Sequence, residues 1–335
     1  MSRNTDVVIT GGTGFIGAHT SKHLVDSGYD VTVVDISEDM RRLEKVNVAS
    51  SVELIRQDLS DTAGTLSLIA DIGPSEIVHL GAVGHPPPDP RTAVTANIVA
   101  TSNIFEAARM FEDQVRRVVW TSSTGVYAPP DRYEDGAFGE NGLDESELVF
   151  PGTLYGGTKL FNEKLADTYI DEYGISLVGL RPTLVYGPFD EVQLLDRHEE
   201  VEEHTTELAQ LFVNPALELP HSMQYGDEIL DWLYIDDMIR VIENAIRADE
   251  DDLHQTKYNI GSGYRMSIAA VADLIREYVP EADISISPEG TLPWTLHVDA
   301  TGARRDLQFD PEYSPERGVS EYIARIREDQ DLSPL

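Results

Sequence analysis

The sequence predicts an α/β protein built on a doubly wound parallel sheet, with a smaller C-terminal α/β substrate-binding lobe. Three observations carry that prediction. Short β-branched runs alternate with longer helical patterns through the first half, a glycine-rich turn follows the first run, and the alternation breaks after residue 188. DVVIT (6–10) leads into FIGAHTSKHLVDSG, and DVTVVD (30–35) and VELIRQD (52–58) are each followed by a helical stretch. EIVHLGA (76–82) and VRRVVWTSS (115–123) flank a long helix from about Pro90 to Phe111. Near-continuous apolar runs of this kind suit strands buried on both faces, as in parallel sheets covered by helices. TLYGGTKLFNEKL (153–165) reads as an amphipathic helix and ISLVGLRPTLVYGP (175–188) as the next strand.

Beyond that point, residues 190–210 read as an acidic helical stretch, ILDWLYIDDMIRVIENAI (229–246) as strand then helix, and KYNIGS (257–262) as a further strand. The rest mixes helices with Pro-rich turns. Residues 1–180, with 229–262 returning to them, form the expected cofactor-binding domain, and 181–228 with 263–335 the substrate-binding lobe.

Composition narrows the setting. Sixty acidic residues against 25 basic ones give a formal charge of -35 at an ordinary 25% charged content. Five of the basic residues are lysines, at 22, 45, 159, 164 and 257. So acidic a surface repels itself at low salt and is relieved by counter-ion screening, which points to a salt-rich cytoplasm, as in extreme halophiles. Nucleic acid is excluded as an expected partner, because no basic stripe can replace counter-ions on phosphates. The absence of cysteine removes disulfides and thiolate metal sites and fits a cytoplasmic protein. No apolar run reaches the roughly 18 residues of a membrane span, and no leader segment is expected before the first strand.

In VVITGGTGFIG, Gly11, Gly14 and Gly17 fall between the first strand and the first helix. There they permit a tight turn, close backbone approach to a pyrophosphate and tight helix packing, while the helix start at Phe15, Ile16 and Gly17 favours negative charge. Asp35 closes the second strand, where a carboxylate accepts both ribose hydroxyls and repels a 2′-phosphate, so NAD is expected as cofactor. Arg41 and Arg42 lie downstream and stand against that choice, since either could approach a phosphate. Asp58, ending the third strand, is placed to bond an adenine amino group.

GGTGFIG (11–17), DL (58–59), HLGA (79–82), Asn97, TSSTGVY (121–127), YGGTK (155–159) and RPTLVYGP (181–188) occur in an order that resembles the extended short-chain dehydrogenases/reductases of the NAD-dependent epimerase/dehydratase family. LDWLYIDD (230–237) and NIGSG (259–263) look like its later landmarks, so the resemblance spans nearly the whole chain. It implies hydride transfer between a nicotinamide and a secondary alcohol, most often on a nucleotide-linked sugar. It also places Leu59, Leu80, Ala82 and Asn97 along the cofactor, with the Asn97 amide organising the active site, and Pro182 near the nicotinamide carboxamide. The helices carrying Asn97 and Tyr155 resemble those that pair into a homodimer in the family.

The chemistry can be argued from the residues themselves. Tyr155 and Lys159 are four apart and share one helix face. The lysine charge, with that of an oxidised nicotinamide, is expected to favour phenolate and draw the phenol down from about 10. Tyr155 then acts as general base toward the substrate hydroxyl and returns the proton in the reverse step. The resemblance implies a further role: Ser123 matches the family position whose hydroxyl holds the substrate oxygen, with Thr124 as the neighbouring alternative.

Several features are weaker. His85 follows the fourth strand, at the edge where α/β sheets bind ligands, which makes it a candidate for substrate contact, although a loop role is the commoner one. His19 and His23 suit packing, and RHEEVEEH (197–204) suits a solvated helix face rather than a metal site. Two positions that commonly serve a nucleotide diphosphate are Leu184 and Leu230, and leucine offers no donor. Arg305, with Arg304 beside it, falls where a phosphate-binding arginine could lie. The leading reading is a nucleotide-sugar epimerase. The alternative is an NAD-dependent dehydrogenase of a free sugar, sugar acid or other small hydroxylated substrate. A non-enzymatic NAD sensor is disfavoured by the intact Ser123, Tyr155 and Lys159.

Overall fold

The structure, a computed structural model, describes residues 5–84, 89–129, 132–133, 142–190, 192, 204–292 and 297–334. A first βα series runs β1 (Val7–Thr10), α1 (Phe15–Asp26), β2 (Val31–Asp35), α2 (Arg41–Lys45), β3 (Glu53–Arg56), α3 (Thr62–Ile72) and β4 (Glu76–His79). The long helix that follows comprises α4 (Pro90–Ala93), a π-helical stretch Val94–Val99 and α5 (Ala100–Met110). Then come β5 (Arg117–Thr121), α6 (Leu154–Tyr173), β6 (Leu177–Pro182) and β7 (Leu184–Tyr186). The last series is α7 (His204–Ala216), β8 (His221–Met223), β9 (Ile229–Tyr234), α8 (Ile235–Arg247), β10 (Lys257–Ile260), β11 (Arg265–Ser267), α9 (Ile268–Tyr278), β12 (Ile284–Ile286), α10 (Thr301–Asp306) and α11 (Pro315–Asp329).

The main sheet has seven parallel strands in the order β10-β6-β5-β4-β1-β2-β3. Both faces are covered, as the apolar runs require. Val7, Ile9 and Val33 join one core cluster, while Val8, Val34, Ile77 and Val118 join the cluster beneath α5 and α6. Strand order reverses between β1 and β4, which opens a crevice at their carboxyl ends.

The segment 229–262, expected to return to the first domain, divides its contacts. β10 pairs with β6 and α8 packs on α1, but β9 pairs with β7 and β11 in a separate three-stranded sheet. Its buried run reads like a main-sheet strand because it too is covered on both sides. β8 and β12 form a third, two-stranded sheet. The acidic stretch expected to be helical over 190–210 is helical from His204, and RHEEVEEH before that residue lies outside the described residues.

Candidate active site

The glycine turn is built for close approach. Gly11 has φ +70°, and a Cβ there would lie 2.5 Å from the Gly81 amide nitrogen. A Cβ on Gly17 would lie 2.2 Å from the Gly11 carbonyl oxygen, so α1 can sit this near the turn only with glycine at 17. Gly14 is the N-cap of α1 and has no side chain to satisfy the first-turn amides, which leaves them for an anion.

A cleft of about 350 Å³ opens in front of this turn, and Gly11, Gly14, Asp35, Asp58, Leu59, Leu80 and Ala82 all line it. Phe15, Ile16 and Gly17 form the helix start behind it. Asp35 is aimed by two backbone amides, from Thr13 at 3.1 Å and from Ser37 at 3.0 Å. Asp58 accepts from the Ser60 amide and hydroxyl at 2.9 and 2.7 Å. The two arginines that could welcome a 2′-phosphate also line the cleft, and each already has a partner. Arg41 pairs with Asp39 at 2.8 Å, and Arg42 donates to the carbonyls of Phe189, at 3.0 Å, and Asp190. A glycine cradle, open amides and a carboxylate at the strand end fit a dinucleotide without a 2′-phosphate.

The second half of the site lies at the ends of β5 and β6. Thr153 caps α6 by accepting from the Gly156 amide at 3.1 Å. A Cβ at Gly156 would fall 2.1 Å from the Gly125 carbonyl oxygen, so glycine here lets α6 press onto the loop after β5. That loop carries Ser123, whose Oγ accepts from the Gly125 amide at 3.0 Å and lies close enough to the Tyr155 phenol to act on its pKa. Thr124 donates instead to the Pro182 carbonyl at 3.2 Å, which joins the ends of β5 and β6 and leaves Ser123 as the hydroxyl beside Tyr155.

Lys159 is buried, with its ammonium 5.5 Å from the Tyr155 ring centroid and donating to the Thr121 carbonyl at 2.8 Å. Burial lowers its pKa to about 8, and Glu163 opposes that fall. Burial also raises the Tyr155 pKa, with Ser123 pulling the other way. The phenolate expected from the sequence belongs to the site with an oxidised nicotinamide present. In the protein alone desolvation dominates, because the lysine charge is directed at Thr121.

Asn97 does not line the cleft. Its Oδ1 accepts from the Val83 amide at 2.7 Å, and its Nδ2 donates to the Val83 carbonyl at 3.0 Å and to Thr158 at 3.1 Å. From its π-helical turn it braces the loop after β4 against α6, one step behind the cofactor contact expected of it.

His79, not singled out in the sequence, is buried beside this brace. Thr101 donates to the Asn97 carbonyl at 2.7 Å, so at 2.9 Å it accepts from His79 Nε2, and Nδ1 accepts from Thr10 at 2.6 Å. Burial pushes the His79 pKa down to about 3, and Lys159 adds to the fall.

Other expectations resolve differently. His85 lies outside the described residues. Arg305 is held by its neighbour Asp306, Nη2 to Oδ2 at 2.9 Å, and the same carboxylate takes His254 and Tyr258 at 3.0 Å each. The Arg305 side chain nonetheless remains 54% exposed beside that cluster. His19 bonds the Pro188 carbonyl at 2.9 Å and His23 bonds Glu243 at 2.6 Å, so both serve packing. Among the described residues, no group of three or more His, Asp and Glu could hold a metal. Leu230 is buried in the apolar core, and Leu184, half-buried, packs against it.

With this geometry the comparisons are direct. The model of the NAD-dependent epimerase/dehydratase family matches residues 7–261. The chain belongs to that family. It is an NAD-dependent enzyme, and the cleft above is where its residues fit the dinucleotide. The UDP-glucose 4-epimerase of Corynebacterium glutamicum is 24% identical over 94% of this chain and 93% of its own. The fold is shared with the UDP-glucose 4-epimerase of Thermotoga maritima, at TM-score 0.81 and 21% identity over 97% of this chain and 100% of that one. It is equally shared with the L-threonine 3-dehydrogenase of Trypanosoma brucei, at TM-score 0.82 and 21% identity over 98% and 99%. No helix among the described residues is long and apolar enough to cross a membrane.

Proposed function

We propose that this family member is an epimerase of a nucleotide-linked sugar, and the observation that carries the reading is the Ser123, Tyr155 and Lys159 cluster at the strand ends beside the cleft. Bound NAD supplies the acceptor and donor of hydride at a secondary alcohol carbon. Tyr155 takes the proton of the substrate hydroxyl and returns it in the reverse half-reaction, so one group serves both directions. Ser123 holds the substrate oxygen. Lys159 contributes the positive charge that, joined by that of the cofactor, offsets the burial of the phenol and favours phenolate. Asn97 and Pro182 fix the backbone around these groups, and residues 181–228 with 263–335 supply the substrate lobe. The 4-epimerase among the sequence relatives supports the substrate class.

A second reading, a dehydrogenase of a small hydroxylated substrate, draws on specific residues. Leu184 and Leu230 offer no donors, Arg305 is committed to Asp306, and the fold is shared as closely with an L-threonine dehydrogenase. Mass spectrometry of the small molecule released on denaturing protein purified in concentrated KCl separates the two. Stoichiometric NAD supports a closed redox cycle, whereas an empty site that binds added NAD reversibly supports the dehydrogenase.

The same reading includes a homodimer in a salt-rich cytoplasm. Leu154 and Phe161 on α6, seven residues apart and so on one face, are 41% and 50% exposed. Val94 is exposed on the adjoining helix. A shared apolar face across two packed helices suits a second copy of the chain. The excess of acid suits counter-ion screening.

A further inference from the structure

Beneath Lys159 runs a chain of buried polar groups that the reaction itself does not use. Glu163 Oε1 accepts from the Ser122 hydroxyl at 2.6 Å and from Arg181 Nε at 2.7 Å, and Oε2 accepts from Arg181 Nη2 at 2.7 Å. Arg181 Nη1 donates to the Tyr127 hydroxyl at 2.8 Å, and Tyr127 donates to Asn259 Oδ1 at 2.9 Å. None of these five residues is more than 2% exposed. An ion pair this deep recovers its desolvation cost poorly, and replacing it with apolar residues is often neutral or favourable. Its presence here calls for a role other than stability.

Position supplies the role. Glu163 lies one helical turn beyond Lys159, and Ser122, which it holds, sits between Thr121, whose carbonyl accepts from Lys159, and Ser123. We propose that Glu163 is a positioning residue of the catalytic centre that keeps the Lys159 ammonium charged against the burial around it.

The surrounding groups are consistent with that assignment. From β6 Arg181 faces Glu163, and from the loop after β5 come Ser122 and Tyr127. Glu145 acts on Arg181 from a distance. His79 on β4 faces Lys159 and is neutral, so it does not compete as a cation. Glu163 opposes the desolvation of Lys159, and the two-pronged bond from Arg181 holds the Glu163 carboxylate in place.

The catalytic meaning rests on the assignment of Lys159 above, but the test reads the lysine itself. With five lysines in the chain, full-length protein labelled at lysine Cε in concentrated KCl yields few signals, and Lys159 is identified by its loss in Lys159→Met. Glu163→Gln, and the paired Glu163→Gln/Arg181→Gln that leaves no lone buried cation, are each expected to move the Lys159 titration midpoint down by about one unit or more. Ser122→Ala, which keeps the charge, is expected to leave it in place. An unmoved midpoint in whichever glutamine variant folds would overturn the proposal, and so would an equal shift in Ser122→Ala. If Glu163→Gln alone does not fold, the paired variant decides. These results stand whether or not Lys159 proves essential to turnover.

Discussion

The ammonium of Lys159 donates to the Thr121 carbonyl at 2.8 Å, tying α6 to the end of β5 two residues before Ser123. Tyr155, one turn earlier on α6, is thereby fixed on the same frame as Ser123, which acts on its phenol. Tyr155→Phe removes the proton-transfer group while keeping the ring. It is expected to cost about 10²–10⁴ in kcat, with NADH binding by fluorescence changed less than about twofold.

A buried lysine trades stability for function. The Lys159 pKa in the folded protein is about 8 against an ordinary 10.5, so the unfolded chain binds the extra proton. The resulting cost is fully present below pH 8 and gone above 10.5. Lys159→Met is expected to be inactive yet more stable by roughly 1–3 kcal/mol at pH 7. Urea melts in concentrated KCl check this, and the gap should close as pH rises through that window.

His79 sets an acid limit. Its folded pKa of about 3 lies below the ordinary 6.5, so the stability its neutral form contributes is present above pH 6.5 and lost as pH falls toward 3. His19, lowered to about 4, acts in the same direction. Denaturation midpoints should fall steadily from pH 6.5 to 4.5, and His79→Gln, which cannot take up the proton, should show a shallower slope.

Asp35 should select the cofactor. Asp35→Asn leaves its place in the cleft but removes the charge, and is expected to weaken NAD binding about tenfold or more while narrowing the preference over NADP. Titration calorimetry with both dinucleotides measures it directly.

The apolar face of α6 makes a separate prediction. Phe161→Glu, far from the cleft-lining residues in the chain, should yield a monomer by light scattering at high salt, where the parent chain is expected to be a dimer.

The parts of this site that were legible in the sequence are those whose chemistry is local. Gly11 and Gly17 announce a tight turn because a side chain at either would strike backbone, and Tyr155 and Lys159 share a face because helical geometry puts them there. What escaped depends on partners distant in the chain. Arg181 in an otherwise apolar strand had to be paired, but nothing local points to Glu163. His79 reads as part of a buried strand until Thr10 and Thr101 are brought to it. The bond from Arg305 to Asp306, one residue on, depends on how α10 ends and was not legible either. β9 carries the same buried run as a main-sheet strand, and pairing with β7 and β11 is set by the three-dimensional course of the chain.

The central claim is that Tyr155 drives a closed, NAD-dependent epimerisation. The most direct measurement is proton NMR of UDP-glucose and UDP-glucuronic acid incubated separately with the enzyme in concentrated KCl, with absorbance at the NADH band followed in parallel. The account predicts that one of these sugars equilibrates with its C4 epimer without accumulating NADH, and that Tyr155→Phe abolishes the conversion. No epimer from either sugar, together with steady NADH formation from a small hydroxylated substrate such as L-threonine, would contradict it.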